Sequence, residues 1–278
     1  MKENKMKTKI TNGEPVFGCI APNSDSILIE TMGLIGFDYH ILDCEHGPAG
    51  VVEVENFARA CEVRGMTPLA RVRELNRHLI LQFMDAGIMG LIVPGMQNAD
   101  MVREMVDAIK YPPMGNRGLG PIRAADYMLG EMSQEKYVKF ANEQTLVFPL
   151  FEDISALDNL DEMVKVPGID GFIIGPRDLA MSMGYIDGPA GHDDVKETVD
   201  KVIKTVTEAG LVVGTVAPNG VAAKSLIDRG VQICLGGVNG LLVSAGKTYL
   251  NEAKKNNKGE SYVNSHGIIQ FERRPIRG

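Results

Sequence analysis

The chain lacks tryptophan entirely, and it has only four cysteines and five histidines among 278 residues. The cysteines lie far apart in the sequence, which excludes the short Cys spacings of zinc and redox motifs and favours reduced thiols. No apolar run approaches the ~18 residues that a membrane span requires. Basic residues are also in deficit, since 29 Lys and Arg stand against 36 Asp and Glu, a formal charge of −7. Nucleic acid and membranes are therefore not predicted as partners.

The N-terminal segment, residues 1–9, is charged and leads into no apolar stretch, so it does not fit a secretory signal. We therefore expect a cytoplasmic protein. Hydrophobic residues make up 44% of the chain, which is enough for a sizeable core. One α/β domain of about 250 residues fits this length. We place the domain at residues 10–254, followed by a polar tail at residues 255–278.

Short apolar runs recur eight times along the chain and alternate with longer amphipathic stretches. The runs are Val16–Ala21, Tyr39–Asp43, Pro68–Val72, Gly90–Val93, Leu146–Phe151, Gly171–Ile174, Val212–Val216 and Gln232–Leu235. Most of them lack polar alternation, as strands buried on both faces of a parallel sheet do. Eight strand–helix units predict a single-domain (β/α)8 TIM barrel, with an open doubly wound sheet as the alternative.

The amphipathic stretches between these runs predict the helices. They are Ser26–Gly36, Val52–Gly65, Arg77–Gly87, Asp100–Lys110, Ser155–Lys165, Asp194–Gly210 and Gly220–Gly230. The stretch from Tyr111 to Gln144 is longer than an ordinary connection, and it predicts a loop followed by an additional helix at Ser133–Asn142. A connection of this size usually contributes to function or to a contact with a partner.

Polar side chains collect at the carboxyl ends of the predicted strands, which is where the active site of such a barrel lies. Strand two is followed by Asp43-Cys44-Glu45-His46-Gly47-Pro48, and strand three by Arg71. Strand five is followed by Glu152, and strand six by Gly175-Pro176-Arg177-Asp178. This asymmetry between the two ends of the strands indicates an enzyme.

Two carboxylates, Glu152 and Asp178, follow adjacent predicted strands. Without cysteine or a histidine pair nearby, they suit a hard divalent cation such as Mg²⁺ or Mn²⁺. The alternative is that Asp178 caps the following helix while Glu152 pairs with a neighbouring arginine.

His46 and Arg71 are the other candidates for chemistry. Asp43, three residues before His46, could orient the imidazole as a general base, although a structural histidine is equally compatible with the pattern. Arg71 suits a substrate carboxylate or a developing oxyanion, and the alternative is a salt bridge with Glu45 or Glu74.

Four segments of this chain resemble the motifs of one enzyme family. They are residues 36–48, Met84-Asp85-Ala86-Gly87, Tyr111–Gly118 and Gly175–Leu179. The family is that of the metal-dependent 2-oxo-acid aldolases of the HpcH/HpaI type, typified by 4-hydroxy-2-oxo-heptane-1,7-dioate aldolase. The resemblance extends from about residue 13 to residue 253, with the motifs in the family's order.

The resemblance implies a (β/α)8 barrel with an exchanged C-terminal helix that assembles as a hexamer, or trimer of dimers. It implies a class II aldehyde-lyase that uses a divalent metal (Mg²⁺, Mn²⁺ or Co²⁺) to cleave 4-hydroxy-2-oxo acids to pyruvate and an aldehyde. By this resemblance, His46 would accept a proton with Asp43 as its partner. Asp85, from a neighbouring subunit, would strengthen that base, and Arg71 would stabilise the transition state.

The resemblance also implies a substrate site. Glu152 and Asp178 would bind the metal, and the backbone of Gly175, Pro176 and Arg177 would meet the pyruvate carboxylate. Two positions depart from the family pattern. Leu150 replaces a glutamine that touches substrate, and Arg177 replaces a small residue. We therefore expect an altered donor specificity.

Two other functions are compatible with parts of the sequence. A barrel acting on a phosphorylated or CoA-linked acid would need an anion site, for which only the glycine-rich segment Gly236–Gly240 offers a signal. A non-catalytic oligomer that senses a carboxylate ligand would not require a base such as His46 beside a metal.

Overall fold

Eight parallel strands pair in chain order, and the last pairs with the first to close a barrel. This computed structural model describes residues 2–23 and 25–255. The strands are β1 Val16–Ala21, β2 Tyr39–Asp43, β3 Thr67–Arg71, β4 Gly90–Val93, β5 Leu146–Phe151, β6 Gly171–Ile174, β7 Val212–Val216 and β8 Ile233–Gly237. The predicted (β/α)8 barrel is confirmed, and only β3 and β8 differ in their limits from the sequence-based prediction.

Helices precede, connect and follow these strands along the chain. They are α1 Lys5–Thr11, α2 Ser26–Ile35, α3 Val51–Arg64, α4 Arg77–Asp85, α5 Ala99–Ile109, α6 Gln134–Gln144, α7 Leu160–Met163, α8 Pro176–Ser182, α9 Asp193–Glu208, α10 Gly220–Ile227 and α11 Val238–Ala253. The additional helix of the long connection is confirmed as α6, with Ser133 as its N-cap. That connection also contains a 3₁₀ helix, Arg123–Met128, which the sequence pattern did not predict.

The prediction of one continuous helix at Ser155–Lys165 is wrong. A 3₁₀ helix spans Ile154–Asn159, and α7 follows with four residues. Asp158 and Asn159 lie at the junction, and their short polar side chains compete with the helical backbone for hydrogen bonds.

Inward-facing side chains fill the barrel with an apolar core. Every second residue of a strand points inward. The strand residues buried in the core are Val16, Tyr39, Ile41, Leu69, Ile92, Leu146, Phe148, Leu150, Ile173, Ile233 and Leu235. Space inside is tight, since a Cβ on Gly18 would lie 2.4 Å from the Tyr39 ring. The Tyr39 hydroxyl donates to the Cys234 carbonyl oxygen at 2.8 Å, so the one polar atom of this ring is satisfied in the core.

The short helix α1 closes the N-terminal end of the barrel. Met6 and Ile10, four residues apart on one face of α1, pack against the apolar core and are 0% and 6% exposed. The sequence analysis missed this helix, because two apolar residues among seven give too little periodicity to predict one. Its stability comes from packing rather than from propensity.

Contacts divide the chain into two units, Met1–Gly237 and Val238–Gly278. The first contains the complete barrel, and the second contains α11. The predicted polar tail lies, apart from Lys255, outside the described residues. The predicted limits of the domain and the exchange of the C-terminal helix stay predictions. Among residues 2–23 and 25–255, no helix is long and apolar enough to cross a membrane.

Candidate active site

On three strands, the series of inward-facing side chains ends in a charged residue at or just beyond the end of the strand. The inward row of β2 passes from Ile41 to Asp43, the row of β3 ends at Arg71, and the row of β5 passes from Leu150 to Glu152. The two-residue period that buries apolar side chains below therefore directs these charges toward the C-terminal rim. Asp43 and Arg71 are also register partners of adjacent strands.

Arg71 and Asp43 form a two-point ion pair at this rim. Arg71 Nε lies 3.0 Å from Asp43 Oδ1, and Arg71 Nη2 lies 2.8 Å from Asp43 Oδ2. Burial would raise the pKa of Asp43, but the hydrogen bonds and charge of Arg71 outweigh it and lower that pKa. Asp43 is therefore an ionised carboxylate with its hydrogen bonds largely committed.

Asp43 meets His46 through the backbone. Asp43 Oδ1 accepts hydrogen bonds from the backbone N–H of Glu45 at 3.2 Å and of His46 at 3.3 Å. The hydrogen bonds of the described residues include none between the Asp43 carboxylate and the His46 imidazole, and the His46 side chain is exposed. Asp43 therefore shapes the turn that carries His46, and the expected contact with the imidazole stays a prediction.

Glu152 lies half-buried just beyond β5. Its Oε1 accepts a hydrogen bond from the Gly95 backbone N–H at 3.0 Å. A Cβ on Gly175 would lie 3.2 Å from Glu152 Cβ and 3.4 Å from Glu152 Oε2, so the absence of a side chain at Gly175 leaves room for this carboxylate. Burial, with the charges of Glu45 and Asp178, raises the pKa of Glu152 to about 7.

Asp178 occupies the first turn of α8, which Pro176 begins. The sequence analysis did not predict α8 as a separate helix, although proline at a first helical position is a recognised signal. Asp178 is half-buried and its charge raises the pKa values of both Glu152 and Glu45. Arg177, beside it, is exposed. The charge of Asp178 thus reaches Glu152, and the use of both as metal ligands stays a prediction.

The chemistry of these donors fits a hard cation. Burial and the charges of neighbouring carboxylates raise the pKa values of Glu45 and Glu152, and Arg71, the cation that faces them, already pairs with Asp43. Carboxylate oxygens without sulfur or imidazole neighbours suit Mg²⁺ or Mn²⁺. Within residues 2–23 and 25–255, no group of three or more His, Cys, Asp and Glu side chains has the geometry of a metal site. Two carboxylates would leave positions open for substrate and water.

Two further predicted residues lie in different surroundings. Leu150 is buried in the apolar core, and its Cδ1 lies 3.7 Å from the position of a Cβ on Gly175, so it lies beneath Glu152. Asp85 ends α4, at the end of the barrel where strands begin, and pairs with Arg117 at 2.8 Å. Within one chain the structure does not bring Asp85 to His46, and a role in a neighbouring subunit stays a prediction.

The sequence analysis considered Glu45 only as a possible salt-bridge partner of Arg71. The structure confirms that pair, with Arg71 Nη1 3.1 Å from Glu45 Oε2, and does not pair Arg71 with Glu74 among the described residues. Glu45 also acts electrostatically on Glu152, and the charge of His46 acts on Glu45. The sequence signal for a role of Glu45 at this site was its position between Asp43 and His46.

A closed barrel with carboxylates, an arginine and a histidine at its C-terminal rim is a (β/α)8-barrel enzyme. The family model described as HpcH/HpaI aldolase/citrate lyase matches residues 17–245. The chain belongs to this family and is a carbon–carbon lyase of the aldolase type. The predicted family, fold and enzyme class are confirmed.

Relatives with assigned activities resemble nearly the whole chain. A 2-keto-3-deoxy-L-rhamnonate aldolase of Klebsiella pneumoniae subsp. pneumoniae is 34% identical, and the match covers 86% of this chain and 88% of that protein. A hydroxypyruvate/pyruvate aldolase of Roseobacter denitrificans is 31% identical over 88% of this chain and 95% of that protein. The crystal structure of an HpcH/HpaI aldolase from Desulfitobacterium hafniense DCB-2 superposes with a TM-score of 0.84 at 27% identity, covering 91% and 98% of the two chains.

Proposed function

We propose that this enzyme cleaves a 4-hydroxy-2-oxo acid to pyruvate, or a related 2-oxo acid, and an aldehyde, with a divalent metal as cofactor. The observation that carries the proposal is the position of Glu152, half-buried against Gly175 and in electrostatic contact with Asp178. The two aldolases named above support the substrate class, since one is named for a 2-keto-3-deoxy acid and the other for pyruvate.

Glu152 and Asp178 would hold the cation. When bound, the cation would polarise the 2-oxo group and offset the negative charge that develops as the C3–C4 bond breaks. Raising the pKa of Glu152 to about 7 keeps it partly protonated near neutral pH, and a bound cation would favour its ionised form. The excess of carboxylates at this rim would then be matched in charge.

His46 would accept the proton of the substrate 4-hydroxyl group. Its exposed imidazole stands on the turn that Asp43 holds through the backbone, so it can reach a substrate at the rim. Arg71 would stabilise the oxygen atoms on which charge grows, and its ion pair with Asp43 fixes its orientation before substrate arrives.

The 2-oxo acid would lie over Leu150 and Gly175. The backbone that begins α8, at Gly175, Pro176 and Arg177, would face its carboxylate, and the Leu150 side chain would form an apolar floor. An apolar floor disfavours a donor with a hydroxyl at C3 relative to pyruvate, because that hydroxyl would lose hydrogen bonds to water, and it offers no amide contact to either donor.

We also propose a cytoplasmic homo-oligomer, a hexamer or trimer of dimers, in which Asp85 of one subunit supports His46 of another. The half-exposed Asp85 carboxylate is held by the buried Arg117, so it can present a fixed oxygen to a second copy. The ligands would be small molecules alone, a 2-oxo acid and an aldehyde.

The decisive measurement is pyruvate release from a 4-hydroxy-2-oxo acid, with and without EDTA. We expect EDTA to abolish turnover and added Mg²⁺, Mn²⁺ or Co²⁺ to restore it. Glu152→Gln should lower turnover roughly 1,000-fold, whereas the adjacent Asp153→Asn should not, since asparagine retains the N-cap role of Asp153. Full activity in EDTA would exclude the metal mechanism.

A further inference from the structure

Glu45 holds a buried oxygen that makes no hydrogen bond. Glu45 Oε2 lies 3.1 Å from Arg71 Nη1, and the two groups form an ion pair without the alignment of a hydrogen bond. The side chains of Glu45 and Arg71 are 21% and 14% exposed. Buried polar atoms are nearly always hydrogen-bonded, so an exception at a rim of charged groups requires an explanation.

The surroundings of Glu45 are unfavourable for its charge. Burial raises the pKa of Glu45, and the charges of Asp43 and Asp178 add to this effect, although Arg71 and the imidazole of His46 oppose it. A neutral side chain of the same size would cost less free energy at this position. A carboxylate held in unfavourable surroundings beside candidate catalytic groups is a candidate for a role in function.

The Arg71 guanidinium lies between two carboxylates. Asp43 contacts Nε and Nη2, and Glu45 contacts Nη1 from the other side. All three nitrogens therefore lie 2.8–3.1 Å from a carboxylate oxygen, with two hydrogen bonds to Asp43 and an ion pair to Glu45 that attracts the Nη1 side of the group. Asp43 alone would leave the Nη1 side of the group unrestrained.

We propose that Glu45 is a positioning residue for the reaction, which acts by holding the guanidinium of Arg71 in one orientation together with Asp43. The inference rests on the proposed function, because it assigns Arg71 the stabilisation of developing charge. A donor that is fixed in advance spends no reorganisation free energy when charge develops on the substrate. The loose contact in the free enzyme agrees with this role, since catalytic hydrogen bonds often tighten only when substrate binds.

The test compares Glu45→Gln with Glu74→Gln. Glu74 is exposed, follows Arg71 by three residues and forms no ion pair with it among the described residues, so the same chemical change there is a matched control. We expect Glu45→Gln to lower kcat about 10- to 100-fold with KM changed less than about threefold. We expect Glu74→Gln to behave as the parent enzyme. The Tm of Glu45→Gln should be unchanged or higher, whereas a structural carboxylate would lower it.

A second experiment, in an Arg71→Lys enzyme, tests whether Glu45 acts through Arg71 or acts directly on the reaction. In an Arg71→Lys enzyme, the lysine cannot contact both carboxylates as the planar guanidinium does. Glu45→Gln should therefore cost little further kcat in that background. The same loss of kcat in both backgrounds would overturn the proposal, as would a Glu45→Gln enzyme with the kcat of Glu74→Gln or a lower Tm.

Failure of the proposed function would look different. If the parent enzyme releases no pyruvate from any 4-hydroxy-2-oxo acid in the presence of metal, the assigned reaction is wrong for every variant. The interaction between Glu45 and Arg71 would then be measured by urea unfolding of the parent, of Glu45→Gln, of Arg71→Lys and of the double variant. Additive effects of the two substitutions on the unfolding midpoint would show that Glu45 and Arg71 do not act together.

Discussion

The two ends of the barrel differ in how their charged side chains are paired. At the end where the strands begin, two lysines of α1 each pair with one carboxylate. Lys7 pairs with Asp170 at 2.8 Å, and Lys9 pairs with Asp38 at 2.6 Å. Both lysines belong to α1, which also inserts Met6 into the apolar core. This end of the barrel is closed by α1 and apolar inside, and the charges of both these lysines are compensated.

At the C-terminal rim, carboxylates outnumber the arginine that they face. Four carboxylates, those of Asp43, Glu45, Glu152 and Asp178, interact there with one another and with Arg71, and burial and mutual repulsion raise the pKa values of Glu45 and Glu152. The barrel therefore separates its stability from its chemistry, with apolar packing at one end and an incompletely compensated cluster of carboxylates at the other. Substitutions at the two ends should therefore affect different quantities.

The largest effect is expected from His46→Ala at the rim. We expect kcat to fall roughly 100- to 10,000-fold, because a positioned general base contributes about that much, while the free energy of unfolding changes little because the side chain is exposed. Steady-state pyruvate release and urea unfolding measure the two quantities. His78→Ala removes another exposed histidine and is the control, and equal activity of both variants would contradict the role of His46.

At the opposite end, Met6→Ala should lower the free energy of unfolding by about 2–5 kcal/mol, because it leaves a cavity in the core. The kcat per folded molecule should stay unchanged. Met132→Ala, at a site that is 43% exposed, should change stability by less than about 0.5 kcal/mol. A loss of kcat in Met6→Ala without loss of stability would break the proposed separation between the two ends.

Leu150 lies between the two regions, in the core yet beneath Glu152, so its replacement tests where the boundary falls. Leu150→Gln should raise turnover with pyruvate as donor by a few-fold, because an amide there can bond the substrate, and should cost about 1–3 kcal/mol of stability from burying polar atoms. Leu150→Met, which keeps the volume, is the control. Unchanged or lower pyruvate turnover in Leu150→Gln would contradict the proposed contact.

An effect of a different kind, on the pH dependence of stability, is expected at Lys110, a buried cation near α1. Its Nζ donates to the carbonyl oxygens of Asn142 and Thr145 at 2.8 and 2.7 Å, and burial lowers its pKa from 10.5 to about 8. Between these two pH values the unfolded chain binds more protons than the folded chain, so the contribution of Lys110 to stability rises with pH across that window.

Urea unfolding of the parent enzyme and of Lys110→Met between pH 7.5 and 10 measures this contribution. The free energy of unfolding of the parent minus that of Lys110→Met should increase as pH rises. A difference that is constant or shrinks with pH would show that Lys110 titrates normally in the folded state.

Local patterns were sufficient to predict most of the barrel. Six strands begin and end where the sequence predicts them, because a buried parallel strand is a short run of β-branched and large apolar residues between turn signals. The charges of Asp43, Arg71 and Glu152 were predictable for the same reason. Each follows a buried strand residue by two positions and therefore shares its inward face.

Other features were decided by tertiary structure alone. The helix α1 is stabilised by residues distant in sequence, such as Thr67, whose hydroxyl donates to Asn4 at 2.9 Å, and Gln144, whose side-chain oxygen accepts from the Asn4 backbone at 2.7 Å. No local pattern encodes such contacts. The position of Asp85 far from its own rim is likewise set by the length and direction of α4.

Which residues carry charge at the rim follows from the sequence, because alternation along a strand is a local property. How those charges pair depends on the folded barrel. The register of β2 and β3 sets Asp43 beside Arg71, and the turn after β2 brings Glu45 to the other side of the guanidinium. Pairing depends on distances between strands, and these are set when the barrel closes.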